Sequence, residues 1–264
     1  RHRRSVASHT VCGRFVSTTP PDELASYFQV DANGVETPGT DGDDRPPGRY
    51  NVAPTAEVFV VYEDGDLRRL DGFHWGLVPS WAKDLKIGNR MINARAETIA
   101  EKPAFRRAFA KRRCIVPADG FYEWTQEPDP TKPGKQRKQP HFISRPDGEP
   151  YAFAGLWERW RGDLNGDGTE TEVRSTTIIT TTANEPMAEL HDRMPVMLAP
   201  GDWDAWLDPT NADVDALGQL LVPAPPRLIT HHPVSTEVNN ARNQGPQLID
   251  PVDPPPVNEQ LGLV

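Results

Sequence analysis

The sequence contains four polar side chains whose types suit nucleophilic and proton-transfer chemistry: Cys12, Asn93, Glu123 and His191. A thiol, an amide, a carboxylate and an imidazole can together attack an electrophile and move its protons. Long stretches of chain separate the four, so sequence distance alone does not bring them together. They are candidates for an active site that only the fold can assemble.

Each of these residues also has a purely structural interpretation. Cys12 can be a small buried hydrophobe, the commoner state of a cysteine, and we interpret Cys114 in this way. Glu123 stands among aromatic residues, where burial would raise its pKa and suit a general acid or base. A water-facing carboxylate on an edge strand fits Glu123 equally well. His191 can cap or fill a turn, and Asn93 can be a turn residue.

Neither the net charge nor the length of the chain identifies its binding partner. The 264 residues suffice for one large domain or two small ones, and the net charge is −9. This net charge argues against nucleic acid, because a DNA-binding surface needs cations. Residues 102–113, however, carry six Lys and Arg residues and no acid. Composition alone therefore leaves a nucleic-acid partner and an inert acidic surface about equally open.

Other sequence features limit the class of protein. Two cysteines make no disulfide framework, no stretch approaches the roughly 18 apolar residues of a membrane span, and no signal peptide is evident. We expect a cytoplasmic protein that enters no membrane. Residues 163–168 resemble the start of a calcium loop, but Arg174 stands where the loop needs Glu. We therefore expect no metal and no cofactor.

Hydrophobic periodicity predicts short helices and strands in irregular order. Thr19 is a potential cap, and Pro20 a first-turn residue, of a helix that ends near Phe28. The β-branched run 173–182 predicts a strand, and the polar, Lys- and Pro-rich residues 126–140 predict a loop. Without βαβ spacing or a repeat, the predicted fold class is α+β, with a strand-rich core and peripheral helices.

Eight short segments are together far more specific than any one of them. They are CGRF at 12–15, YNVAPT at 50–55, WGLVPSW at 75–81, NARAET at 93–98, CIVPADGFYEW at 114–124, AGLW at 154–157, HDRMPV at 191–196 and VNN at 238–240. Through these segments the chain resembles the SRAP family, the SOS-response-associated peptidases or abasic site processing proteins. The segments follow the family order from Cys12 to about residue 250.

The resemblance implies a single SRAP-type domain over residues 12–250, with a barrel-like core, followed by a loose Pro-rich tail over 251–264. It also implies a reaction in the DNA damage response. An abasic deoxyribose opens to an aldehyde, and the α-amine and thiol of an N-terminal Cys12 close a thiazolidine ring on it. The product is a covalent DNA–protein crosslink, and lyase and self-processing peptidase activities are implied as well.

Roles for the other residues follow from the same resemblance. Asn93 would hold the nucleophile and Glu123 would move protons. His191 would assist opening of the sugar and could promote loss of the 3′ phosphate.

The resemblance further implies a positive groove for single-stranded DNA that contains abasic sites. Arg95 and Arg193 would hold flanking phosphates, because Arg binds phosphate bidentately. Trp81 would stack on bases, although a core position fits it equally. Arg14 and Asn51 would lie near the site. The protein would be a monomer, associated with the nucleoid when bound to DNA.

Cys12 departs from the family pattern because residues precede it. An internal cysteine has no α-amine, so residues 1–11 would be an extension that is removed or never made. Val11 stands where the family has its initiator Met, and a GTG start codon reads as Val inside a longer translation. Proteolysis, including self-cleavage, is the alternative. Two other functions stay open: a cysteine hydrolase with His191 as base, and a non-catalytic single-strand-binding module.

Overall fold

A computed structural model describes residues 12–35, 48–129, 132, 134–164 and 168–252. Its strands are β1 Phe15–Ser17, β2 Ala32–Asn33, β3 Arg49–Val52, β4 Glu57–Asp64, β5 Leu67–Trp75, β6 Asn93–Arg95, β7 Arg113–Ala118, β8 Gly120–Pro128, β9 Gln136–Ser144, β10 Tyr151–Asp163, β11 Glu170–Thr182, β12 Arg193–Pro195 and β13 Thr230–Pro233. Its helices are α1 Pro21–Tyr27, α2 Arg106–Lys111, α3 Glu185–Ala188, α4 Trp203–Leu207 and α5 Val214–Gln219. Short 3₁₀ turns include Thr236–Asn239.

Residues 1–11, predicted as an extension, lie outside the described residues, as does most of the tail predicted for 251–264. The first two residues of that tail are held in place. Pro251 forms an isolated β-bridge with Val234, and the Val252 backbone N–H donates to the Pro233 carbonyl at 3.0 Å.

Five strands close a small barrel. β11 pairs with β10, β10 with β7, β7 with β4 and β4 with β5, all antiparallel, and β5 pairs back to β11 in parallel. Closure removes the unpaired edges of an open sheet. The α+β fold class, with a strand-rich, barrel-like core and peripheral helices, is thereby confirmed.

A second sheet, in the order β13-β9-β8-β1-β3, packs on the barrel. Its apolar side chains share one core cluster with the barrel and with Cys12, and the rings of Phe15 and Trp75 meet at 5.1 Å. Successive barrel residues alternate between two faces. The barrel residues on the other face, which include Ile115 and Ile179, form a separate apolar cluster with residues of α1, α2, α4 and α5. The site described below lies on the second sheet.

Two predictions about local structure are wrong. The segment 126–140 is not a loop: β8 continues to Pro128, β9 begins at Gln136, and the two strands form a hairpin. The backbones of the two strands pair along the hairpin. Among the polar side chains, Arg137 forms an ion pair with Glu127 at 3.6 Å. The first helix begins one residue later than predicted, with Pro20 as N-cap, because Thr19 instead hydrogen-bonds Asp119.

Arg113, the first residue of β7, ties two helices to the barrel. Its side chain is buried, and its guanidinium donates to four carbonyl oxygens, those of Phe109, Trp206, Asp208 and Asn211. Burial lowers the pKa of this guanidinium. Several neutral acceptors therefore stabilise a cation that is removed from water.

Arg113→Lys keeps the charge but reaches fewer of these carbonyls, so buried acceptors lose their donors. We expect the free energy of unfolding, measured by urea denaturation, to fall by about 2–3 kcal/mol. Arg107→Lys, on the exposed side of α2, should change it by less than about 0.5 kcal/mol. Equal values for the two variants would contradict a structural role for Arg113.

Candidate functional site

A cleft of about 410 Å³ opens on the second sheet. It is bounded by the chain leading into β1, by β8 and β9, by the turn after α3 and by the 3₁₀ turn near residue 239. Its lining residues are Gly13, Arg14, Glu123, Trp124, Lys138, His191 and Asn239. Three of the residues proposed from the sequence therefore meet in one cleft, although they come from distant parts of the chain.

Cys12 and Glu123 form the buried end of this site. The Cys12 backbone N–H donates to Glu123 Oε1 at 2.6 Å, and both residues are buried. Cys12 has a φ of 48°, in the left-handed region that non-glycine residues rarely occupy. The contact with the carboxyl helps to hold this unfavourable backbone, so Cys12 presents its nitrogen to an acid in a fixed geometry.

Burial controls the protonation of both groups. It raises the pKa of Glu123 to about 8, assisted by the charge of Asp192 and opposed by the Cys12 N–H bond. The carboxyl is therefore mostly protonated at neutral pH and can donate a proton. Burial, with a smaller contribution from Glu123, also raises the pKa of the Cys12 thiol well above its ordinary value. At neutral pH Cys12 carries a thiol, not a thiolate.

His191 is fixed by the turn that follows α3. Its Nδ1 lies 3.1 Å from the Arg193 backbone N–H and 2.9 Å from Asp192 Oδ1. Nδ1 accepts from the Arg193 N–H in the neutral tautomer that carries its proton on Nε2, whereas the contact with Asp192 needs a proton on Nδ1. This Nε2 is buried and has no hydrogen-bond partner among the described residues. Because His191 lines the cleft, a ligand there could accept that proton in a hydrogen bond.

Arg14 and Asn51 lie together at the site. Arg14 lines the cleft, and its Nη1 donates to Asn51 Oδ1 at 2.7 Å and to the Val238 carbonyl at 3.0 Å. Asn51 is buried below it. Partial burial lowers the pKa of the Arg14 guanidinium. Arg14 thus brings a partly desolvated cation to the cleft.

Asn93 and Arg95 lie on β6, which pairs with β11 and does not contribute to the lining of the cleft. Ile92, immediately before Asn93, belongs to the same core cluster as Cys12. Arg95 is exposed. The roles predicted for Asn93 and Arg95 stay predictions.

Arg193 is occupied by protein acceptors. Its Nη1 and Nη2 donate to the two carboxylate oxygens of Glu97 at 2.8 and 3.0 Å, and Nη2 also donates to the Thr180 carbonyl at 2.6 Å. The side chain is buried. The bidentate contact expected with phosphate is therefore made with Glu97, and phosphate binding by Arg193 would require this pair to open.

Trp81 is not a core residue, since 60% of it is exposed. It lies in a separate depression with Ala82, Lys83, Asp84 and Ile87. Trp124, Lys138 and Asn239 also line the cleft, and none of them was predicted from the sequence to do so. Lys138 was overlooked because its segment was predicted to be a loop, whereas the position of Trp124 next to Glu123 was a usable signal.

Within the described residues, no cluster of three or more His, Cys, Asp or Glu side chains is arranged to hold a metal ion. In the same part of the chain, none of the helices is long and apolar enough to cross a membrane.

Comparison with known proteins gives consistent matches. The family model described as SOS response associated peptidase (SRAP) matches residues 11–241. The abasic site processing protein YoqW of Bacillus subtilis is 41% identical over 240 residues, which cover 91% of this chain and 99% of YoqW. YedK of Escherichia coli, also named an abasic site processing protein, is 33% identical, with 92% and 100% covered. HMCES of Xenopus tropicalis, with the same descriptive name, is 32% identical, with 90% and 77% covered.

Solved structures show the same fold. A protein from Bacteroides thetaiotaomicron superposes with a TM-score of 0.75 at 24% identity, and the match covers 91% of this chain and all of that one. A protein from Bordetella bronchiseptica gives a TM-score of 0.64 at 25% identity, with 85% of this chain covered.

Glu123→Gln tests the raised pKa of this carboxyl in the chain that retains residues before Cys12. In the unfolded chain a Glu side chain has a pKa of about 4.3, whereas in the folded chain the pKa of Glu123 is about 8. Between these values the folded state holds a proton that the unfolded state releases. Wild-type stability should therefore fall as pH rises, by up to about 1.4 kcal/mol per pH unit.

The Gln variant carries no such proton, so its stability relative to wild type should rise between about pH 5 and about pH 8. Urea denaturation at a series of pH values measures this difference. Glu127→Gln, on the same strand, is the matched control and should follow the wild-type pH dependence. Parallel curves for wild type and Glu123→Gln would show that the pKa of Glu123 is not raised.

Proposed function

This chain belongs to the SRAP family, and we propose that it captures abasic sites in single-stranded DNA as a covalent adduct of Cys12. One observation carries the proposal: the Cys12 nitrogen lies 2.6 Å from a buried carboxyl beside an open cleft. The names of the relatives, all abasic site processing proteins, support the choice of substrate. The cleft adds an imidazole and two cations, His191, Arg14 and Lys138.

The proposed reaction needs Cys12 to be the first residue of the mature protein, because only then is its nitrogen an amine. We propose that residues 1–11 are removed or are not translated. A free α-amine has a pKa of about 7.7–8.0, so an appreciable fraction is neutral at pH 7. This neutral amine adds to the aldehyde carbon of the opened sugar and forms a carbinolamine.

Ring closure follows in two balanced steps. Glu123 gives its proton to the carbinolamine hydroxyl, which leaves as water, and the Glu123 carboxylate takes back the remaining N–H proton as the nitrogen forms a neutral C=N bond. The Cys12 thiol then adds its sulfur to the same carbon, and the thiol proton ends on the nitrogen. One C–N and one C–S bond replace the aldehyde C=O bond, and one water is released. The five-membered ring closes within one residue, at high effective concentration.

The environment of Glu123 suits this sequence of proton transfers. A free Cys12 amine and the Glu123 carboxyl would share one proton between them. The pair would be either an ammonium with a carboxylate or a neutral amine with a carboxylic acid. Burial penalises the charged pair, and in the chain with a Cys12 amide it raises the pKa of Glu123 to about 8. It therefore favours the neutral amine, which is the nucleophile, beside the acid that removes water.

The remaining residues would hold the substrate. His191 can direct its Nε2 proton to the ring oxygen of the sugar during opening, and could promote loss of the 3′ phosphate in a lyase reaction. Arg14 and Lys138 supply cations for phosphates. Exposed Arg95 and Trp81 suit a phosphate and a base outside the cleft, and the role of Asn93 remains to hold the nucleophile.

Self-processing is a second candidate activity, favoured by the backbone of Cys12. Its left-handed φ of 48° and its N–H bond to an acid suit cleavage of the bond between Val11 and Cys12. The thiol would add to the Val11 carbonyl, the Cys12 nitrogen would leave with the proton of Glu123, and the thiol proton would pass to the resulting Glu123 carboxylate. Water would then hydrolyse the thioester. A general thiol hydrolase is disfavoured, because hydrolases of that kind use a thiolate and the pKa of this thiol is raised.

The test uses protein that begins at Cys12 and single-stranded DNA with one abasic site. We expect a heat-stable adduct on a denaturing gel for wild type and for Cys114→Ala, the matched control for the other buried thiol. Cys12→Ala should form no such adduct. Glu123→Gln should form it about 10²-fold more slowly, the usual effect of losing a general acid, while its reversible DNA binding stays within about twofold.

Other outcomes favour other functions. A salt-sensitive gel shift without any adduct, unchanged in Cys12→Ala, would replace capture by simple single-strand binding. Neither adduct nor shift would leave the hydrolase as the remaining candidate.

A further inference from the structure

The C-terminal strap, residues 236–244, forms one wall of the cleft. Its first part is the 3₁₀ turn Thr236–Asn239. Asn239 lines the cleft and accepts a hydrogen bond from Trp124 Nε1 at 2.6 Å. The Val238 carbonyl accepts from Arg14 at 3.0 Å. The position of the strap therefore determines where two cleft residues lie.

The strap is attached to the edge of the second sheet by a side-chain amide. β3 is the last strand of that sheet, so one side of it lacks a neighbouring strand. Gln244 Oε1 accepts from the Tyr50 and Asn51 backbone N–H groups at 3.0 and 3.2 Å, and its Nε2 donates to the Asn51 carbonyl at 3.2 Å. The amide satisfies backbone donors and an acceptor, as another strand would.

Asn51 carries this attachment inward to Arg14. Its Nδ2 donates to the carbonyls of Val238, Asn240 and Asn243 at 3.1, 3.0 and 3.2 Å, all within the strap. Its Oδ1 accepts from Arg14 Nη1 at 2.7 Å. An amide is required at Asn51, because one end must donate and the other must accept.

We infer that Gln244 is a positioning residue that fixes the strap on β3 and thereby holds Arg14 in the geometry that receives a DNA phosphate. The inference rests on the proposed function for the identity of the anion. It predicts that Gln244 and Arg14 act on the same phosphate contact, although Gln244 itself does not line the cleft. A carboxylate at 244 could accept from the two N–H groups but would have no proton for the Asn51 carbonyl.

The test measures reversible binding to single-stranded DNA without an abasic site, by fluorescence anisotropy at several salt concentrations. Gln244→Met removes the three hydrogen bonds without adding charge, and Gln244→Glu removes the donor alone. Gln219→Glu adds the same charge at an exposed position on α5, away from the cleft, and controls for that charge. Thermal denaturation of each variant checks that it is folded.

We expect both Gln244 variants to raise the half-saturating DNA concentration about tenfold. They should also reduce the magnitude of the slope of log affinity against log salt concentration by about 0.7, which corresponds to the loss of one phosphate contact on a single strand. Arg14→Gln should flatten it equally, and Arg14→Gln with Gln244→Met should flatten it no further. Gln219→Glu should leave the salt slope unchanged.

An unchanged salt slope in the Gln244 variants, or additive losses in the double variant, would overturn the inference even where adduct formation is intact. Wild type that binds DNA reversibly with these dependences but forms no adduct would contradict the proposed capture reaction alone. Wild type that does not bind single-stranded DNA would overturn the inference together with the proposed substrate.

Discussion

The hydrogen bond between the Cys12 backbone nitrogen and Glu123 is the interaction on which the site depends. It joins the chain entering β1 to the middle of β8, and both partners are buried. A carboxyl in such a place is costly unless it is neutral or well paired. The same burial raises the pKa of Glu123. An acid therefore lies next to the nitrogen of Cys12, a potential nucleophile.

The surrounding architecture keeps this arrangement rigid. The barrel closes through the pairing of β5 with β11, and the second sheet packs against it through one apolar cluster that includes Cys12. The turn after α3 presents His191, while the strap over β3 contributes Asn239 and accepts a hydrogen bond from Arg14. Strands and packed turns thus hold the cleft, which suits a reaction that depends on the position of a few atoms.

Much of the fold was predictable from the sequence, because β-branched runs such as 173–182 and the short helical patterns have local causes. The burial of Glu123 was also readable from its aromatic neighbours, although the water-facing alternative was equally compatible. The hairpin of β8 and β9 was not predictable, since its polar residues are stabilised by pairing across the hairpin. Lys138 was missed for that reason. The partner of Arg193 was hidden as well, because Glu97 meets it only through tertiary packing.

Mass spectrometry of the protease-digested DNA adduct tests whether the amine and the thiol of Cys12 act together. We expect the sugar fragment to be attached to a peptide that begins at Cys12, with the mass of both reactants less one water. That peptide should carry no thiol that reacts with an alkylating agent and no free α-amine. An adduct on a peptide that extends before Cys12, or one that retains a free Cys12 thiol, would contradict joint action of the amine and the thiol.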